Sequence, residues 1–154
     1  MRLDWHKTLP DAYKAMLGLQ KIADNSKIDY KLLELVKVRA SQINGCAHCL
    51  EMHTKDARAI GESELRLNML AAWREAPVYS PHEKAALAWC EELTNISHTG
   101  ASDDVYKEVE ELFAPEELVE LMIAIVAING WNRLAVGFRS EVGNYVSQKN
   151  HGKL

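Results

Sequence analysis

Apolar residues recur along the chain at intervals of three and four, as at Tyr13, Met16, Leu17 and again at Leu65, Met69, Leu70. That spacing belongs to helices with one face turned inward, and no segment sustains the every-second-residue alternation of a half-buried strand. The pattern therefore predicts an all-α protein. Punctuation divides it: Gly61 followed by Ser63 ends one helix and begins another, Ser80-Pro81-His82-Glu83 is a capping box with proline in the first helical position, and Ser102 with Asp103 and Asp104 opens a further helix. The predicted helices span 10–23, 28–42, 45–60, 63–74, 81–95, 102–113, 115–128 and 131–142. Short loops and the lack of a low-complexity linker lead to the expectation of a single domain over 1–154, with 148–154 a loose C-terminal tail.

Ile43-Asn44-Gly45 and Ile128-Asn129-Gly130 each follow an apolar helical stretch and precede another. Read as helix ends, they suggest a duplicated two-helix unit, although a shared turn solution gives the same tripeptide. Only the first carries Cys46-Ala47-His48-Cys49 after the turn; the second carries Trp131-Asn132-Arg133-Leu134 and would be scaffold.

The first copy is where chemistry is expected. Asn44 as N-cap and Gly45 in the turn place Cys46 and Cys49 in the first turn of a helix. There the unpaired N–H groups and the helix dipole favour a thiolate, and three-residue spacing puts both sulfurs on one face within reach of a disulfide. His53, four residues beyond Cys49, shares that face and is a candidate proton carrier. Glu34 interrupts Leu32-Leu33 and Leu35-Val36 in the preceding helix. It reads either as the carboxylate that orients His53 or as part of a solvated stripe with Lys37 and Ser41. Zinc held by Cys46, Cys49, His53 and either His48 or Glu34 is a rival reading, weakened by the absence of a second close ligand pair.

Composition narrows the partners. A formal net charge of −4 with mixed signs argues against nucleic acid or an anionic membrane surface. The amino terminus, Met1 to His6, lacks the apolar core of a signal peptide, and the run Leu121 to Ile128 is too short to span a bilayer, so a cytoplasmic location is expected. Cys90, beside Trp89 in an apolar helix, reads as a buried inert thiol, and Trp5, Trp73, Trp89 and Trp131 read as core or subunit-interface residues. No phosphate loop or dinucleotide fingerprint is present.

The order Glu34, a short segment, Cys46-x-His48-Cys49 and His53 resembles the AhpD-like alkylhydroperoxidases of the carboxymuconolactone decarboxylase superfamily, as do the stretch Leu33 to Ile60 and the later Asn129 to Arg133. The resemblance implies an all-helical fold, a trimeric or hexameric homo-oligomer, and peroxide reduction without haem, flavin or metal. It also implies a catalytic set of Cys49, Cys46, His53, Glu34 and, in a secondary role, His48. In that cycle the cysteine nearer the histidine, Cys49, attacks the peroxide and Cys46 resolves the sulfenic acid to a disulfide. Electrons then arrive from a dithiol or a thioredoxin- or lipoyl-type protein. The alternatives are the lyase reaction that names the superfamily and a non-catalytic redox sensor or disulfide-exchange protein.

Overall fold

The computed structural model describes residues 1–149, and the part of the expected tail from residue 150 onward lies outside them. Among the described residues there are nine α-helices, one 3-10 turn and no strand. They are α1 Trp5–Thr8, α2 Pro10–Asp24, α3 Tyr30–Ile43, α4 Ala47–Ala59, α5 Glu64–Met69 (followed by the 3-10 turn Leu70–Ala72), α6 Pro81–Thr94, α7 Ile96–Thr99, α8 Asp103–Glu110 and α9 Pro115–Phe138. The expected all-α class is the observed one.

Local chemistry explains several boundaries. Asp29 caps α3 by accepting from the N–H groups of Lys31 and Leu32, and Ser63 caps α5. Ser80 and Glu83 form the predicted capping box ahead of Pro81. Helix α3 is the hub, packing against α4, α6 and α9, and every residue from Leu32 to Val38 is buried. One apolar cluster joins α3 to α6, α8 and α9 and includes Cys46 and Cys49; a second joins it to α5, the 3-10 turn and Trp73.

Two expectations need correction. The first concerns Ile128-Asn129-Gly130, which ends no helix: α9 runs unbroken from Pro115 to Phe138. The Asn129 side chain donates back to the Ile125 carbonyl, and Gly130 is helical, its missing Cβ replaced by the tip of Met16 from α2. Close helix packing, not a turn, is what this glycine serves. The duplicated two-helix unit is therefore not formed, although the two echoes meet, with Asn44 Nδ2 donating to Asn129 Oδ1 at 3.0 Å. Continuity also makes α9 long and apolar enough, by length and composition, to cross a membrane, contrary to the reading that stopped at Ile128. In this fold Leu121, Ala124, Ile125, Ala127 and Ile128 are instead buried among the other helices.

The second correction concerns the turn before the cysteines. Asn44 is the C-cap of α3, not the N-cap of α4. Gly45 at φ +63° follows it, with Gly45 N–H donating to Gln42 O and Cys46 N–H to Ser41 O, the paired bonds of a Schellman motif. Cys46 is itself the N-cap of α4, its sulfur accepting from Cys49 N–H at 3.2 Å. Gly45→Ala should cost about 1–2 kcal/mol in urea unfolding because a Cβ opposes the left-handed backbone. Gly45→Asn should cost less, and equal stability of all three proteins would contradict this account of the turn.

Candidate active site

Two helix faces converge on one cavity of about 710 Å³. From α3 come Tyr30, Glu34 and Lys37, and from α4 come Cys49, Met52, His53 and Asp56, each set spaced to share one side of its helix. Residues 139–149 cross this opening as a strap. Glu51 accepts from the N–H groups of Gly143 and Tyr145, and Lys55 donates to Tyr145 O, which pins the strap to α4. The apolar end of the cavity is formed by Trp5, Tyr13, Leu17, Trp131 and Leu134.

Cys46 and Cys49 are joined by a disulfide and both are buried. Cys49 lines the large cavity; Cys46 does not. His53 lies one helical turn beyond Cys49, and its Nδ1 is 2.8 Å from Glu34 Oε2. Glu34 is only 1% exposed, which rejects the solvated-stripe reading, since Lys37 and Ser41 are buried with it. Lys37 Nζ donates to the other carboxylate oxygen at 3.1 Å and lies 3.6 Å from Asp24. Burial by itself would push the Glu34 carboxyl up, but the adjacent His53 and Lys37 reverse this and hold it at about 2. Burial likewise pushes Lys37 down, and the neighbouring Glu34, Tyr30 and Asp24 more than offset it, so its ammonium is favoured.

A carboxylate fixed on Nδ1 leaves the other nitrogen of His53 as the one able to exchange protons. The arrangement can thus carry a proton to or from a group bound beside Cys49. His48 turns elsewhere: its Nδ1 lies 2.6 Å from Glu141 O in the strap. Tyr145 OH donates to Asp56 at 2.8 Å, and burial together with that bond raises the phenol well above its ordinary value. Burial pushes Tyr30 up to about 12, so both phenols remain proton donors near neutrality. Lys149, which the sequence placed in a loose tail, hydrogen-bonds Tyr30 OH and lines the cavity with Gln148.

Glu34, His53 and Asp56 are the set of described residues whose ligand atoms approach closely enough to hold a metal ion, all within 4.8 Å of one another. Lys37 and Tyr145 already occupy their carboxylates as donors, and this is not the cysteine-containing zinc set that the sequence allowed. Cys90 is fully buried, and desolvation pushes its thiol up to about 12, consistent with an inert role. The buried Trp5 and the half-buried Trp131 pack in one aromatic group with Tyr13 and wall the cavity. Sequence reasoning overlooked Asp56, three residues beyond His53 on the same face, and considered Lys37, three beyond Glu34, only as a member of a solvated stripe. Tyr145 had no local signal.

Residues 10–92, which contain all five sequence-predicted site residues, match the Carboxymuconolactone decarboxylase family. The chain belongs to that family. Within the carboxymuconolactone decarboxylase superfamily it is AhpD-like. It is 40% identical over 148 residues to the uncharacterized protein YdfG of Bacillus subtilis, covering 96% of this chain and 98% of that one. A protein of unknown function from Agrobacterium tumefaciens, described as a candidate AhpD antioxidant defence protein, superposes with a TM-score of 0.89. Their identity is 43%, over 94% of this chain and 99% of that one. The fold extends to the debrominase Bmp8 bound to 2,3,4-tribromopyrrole, at TM-score 0.79 and 19% identity over 90% of this chain and 74% of that one.

Proposed function

We propose that this carboxymuconolactone decarboxylase family member is a thiol-dependent peroxidase. The observation that carries the reading is the Cys46–Cys49 disulfide, whose Cys49 end opens into the cavity holding the His53–Glu34 pair. In the reduced protein His53 takes the Cys49 proton, and the thiolate attacks one peroxide oxygen. The O–O bond breaks, the S–O bond forms, and the departing alkoxide or hydroxide recovers the proton from His53. Cys46 then attacks the Cys49 sulfenic acid and expels water, leaving the disulfide. An external dithiol restores both thiols, so peroxide and dithiol become alcohol, water and the oxidised reductant.

The apolar and aromatic end of the cavity favours an organic hydroperoxide over hydrogen peroxide. The reductant is a dithiol or a thioredoxin- or lipoyl-type protein, and the enzyme is a cytoplasmic homo-oligomer, trimeric or hexameric. Nothing in the mechanism calls on a bound cofactor.

The test is peroxide consumption by the full chain with dihydrolipoamide, comparing cumene hydroperoxide with hydrogen peroxide. Many turnovers are expected, with higher kcat/KM for cumene hydroperoxide, and light scattering should give an assembly larger than a monomer. Consumption limited to one equivalent in the presence of excess dithiol would replace the catalyst by a redox sensor.

A further inference from the structure

The disulfide meets two separate cavities. Cys49 lines the large one, whereas Cys46 lines a second pocket of about 190 Å³ formed with Ala47, His48, Val136, Arg139 and Val142. His48, Ala135 and Ser140 contribute to both and stand between them. Ala47, Val136, Arg139 and Val142 are exposed, so the small pocket opens directly to solvent. Its rim is mostly apolar and carries one cation, Arg139, at the left-handed C-cap of α9.

We infer that this second pocket is the entry site for the reductant, a thiol on a slender apolar arm, which attacks Cys46 while the peroxide cavity serves Cys49. The inference rests on the disulfide cycle proposed above. Thiol–disulfide exchange proceeds through a thiolate approaching one sulfur in line with the bond it breaks. Of the two cysteines, Cys46 lines the small pocket and Cys49 does not. A bond forms between the reductant sulfur and Cys46 Sγ, the Cys46–Cys49 bond breaks, and the electron pair leaves on Cys49 beside His53, which supplies its proton. The reductant's second thiol then attacks its own sulfur in the mixed disulfide and expels Cys46 as thiolate. That sulfur is the N-cap of α4, where Cys49 N–H already points at it from 3.2 Å, so the second leaving group is stabilised too. Two thiols are regained and the reductant leaves as a disulfide.

Separate entries mean that an organic substrate or its alcohol product in the large cavity does not obstruct reduction. They also give His48 a place: tied to Glu141 O, it holds the partition between the two cavities.

The reductive half-reaction is measured without peroxide, which separates this inference from the peroxidase reading. Oxidised wild-type protein is mixed with 2-mercaptoethanol, quenched with N-ethylmaleimide in acid and peptide-mapped. The mixed disulfide is expected on Cys46 with Cys49 alkylated; its appearance on Cys49 would overturn the proposal. Independently, Val136→Trp and Val142→Trp, both at exposed positions, should slow disulfide reduction by dihydrolipoamide roughly tenfold or more by blocking the approach. Val119→Trp, exposed on α9 and lining neither pocket, should leave that rate unchanged. Unchanged reduction in both Val136→Trp and Val142→Trp would overturn entry through the small pocket. Exchange on Cys46 without peroxide turnover would keep the reductant site and remove the peroxidase.

Discussion

Cys49→Ser is expected to abolish dithiol-dependent peroxide turnover, because a serine hydroxyl is far too weakly acidic to supply the nucleophile. Cys46→Ser should also stop turnover but leave consumption of about one equivalent of peroxide and a sulfenic acid that dimedone traps on Cys49. The asymmetry follows from placement: Cys49 faces the cavity with His53, while Cys46 sits behind it at the N-cap. The same N-cap position favours thiolate at Cys46, so the two variants decide between cavity access and helix-end activation. A sulfenic acid trapped on Cys46 in Cys49→Ser would exchange the two roles.

Glu34→Gln should reduce turnover by roughly two to four decades, through loss of the carboxylate that orients the imidazole through Nδ1. His53→Ala should be at least as damaging, because Glu34 acts only through that ring. The Glu34 variant should also destabilise the fold by about 3–5 kcal/mol, since Lys37 is left buried with only Asp24, 3.6 Å away, as a carboxylate partner. Adding Lys37→Met should recover much of the stability and none of the activity, which separates support of the fold from the proton relay.

The wild-type acid limb carries the same signature. Glu34 has its carboxyl depressed from 4.5 to about 2, so its contribution to stability is fully present above pH 4.5 and is lost as the pH falls from there towards 2. Urea unfolding from pH 6 downward should show a flatter acid limb in Glu34→Gln than in wild type. Parallel limbs would mean that Glu34 is not the anion of this cluster.

The sequence alone determined the helical class, the caps at Ser63 and Ser80 and the register of Cys49 and His53 on one helix face. These depend on interactions between residues a few positions apart, which spacing records directly. It posed Glu34 without deciding it, because a carboxylate in an apolar stretch can face water or be buried against a partner nineteen residues away. Tertiary packing made that choice: α3 is covered on all sides, and a buried anion there is tolerable only between Lys37 and His53. The same long-range packing turned Ile128-Asn129-Gly130 from an apparent helix end into the middle of α9, where Gly130 admits Met16. It also brought Tyr145 and Lys149 over the cavity, held by contacts with Asp56 and Tyr30 about ninety or more residues earlier in the chain. A local pattern carries no trace of such pairings, because their free energy arises only when distant segments bury one another.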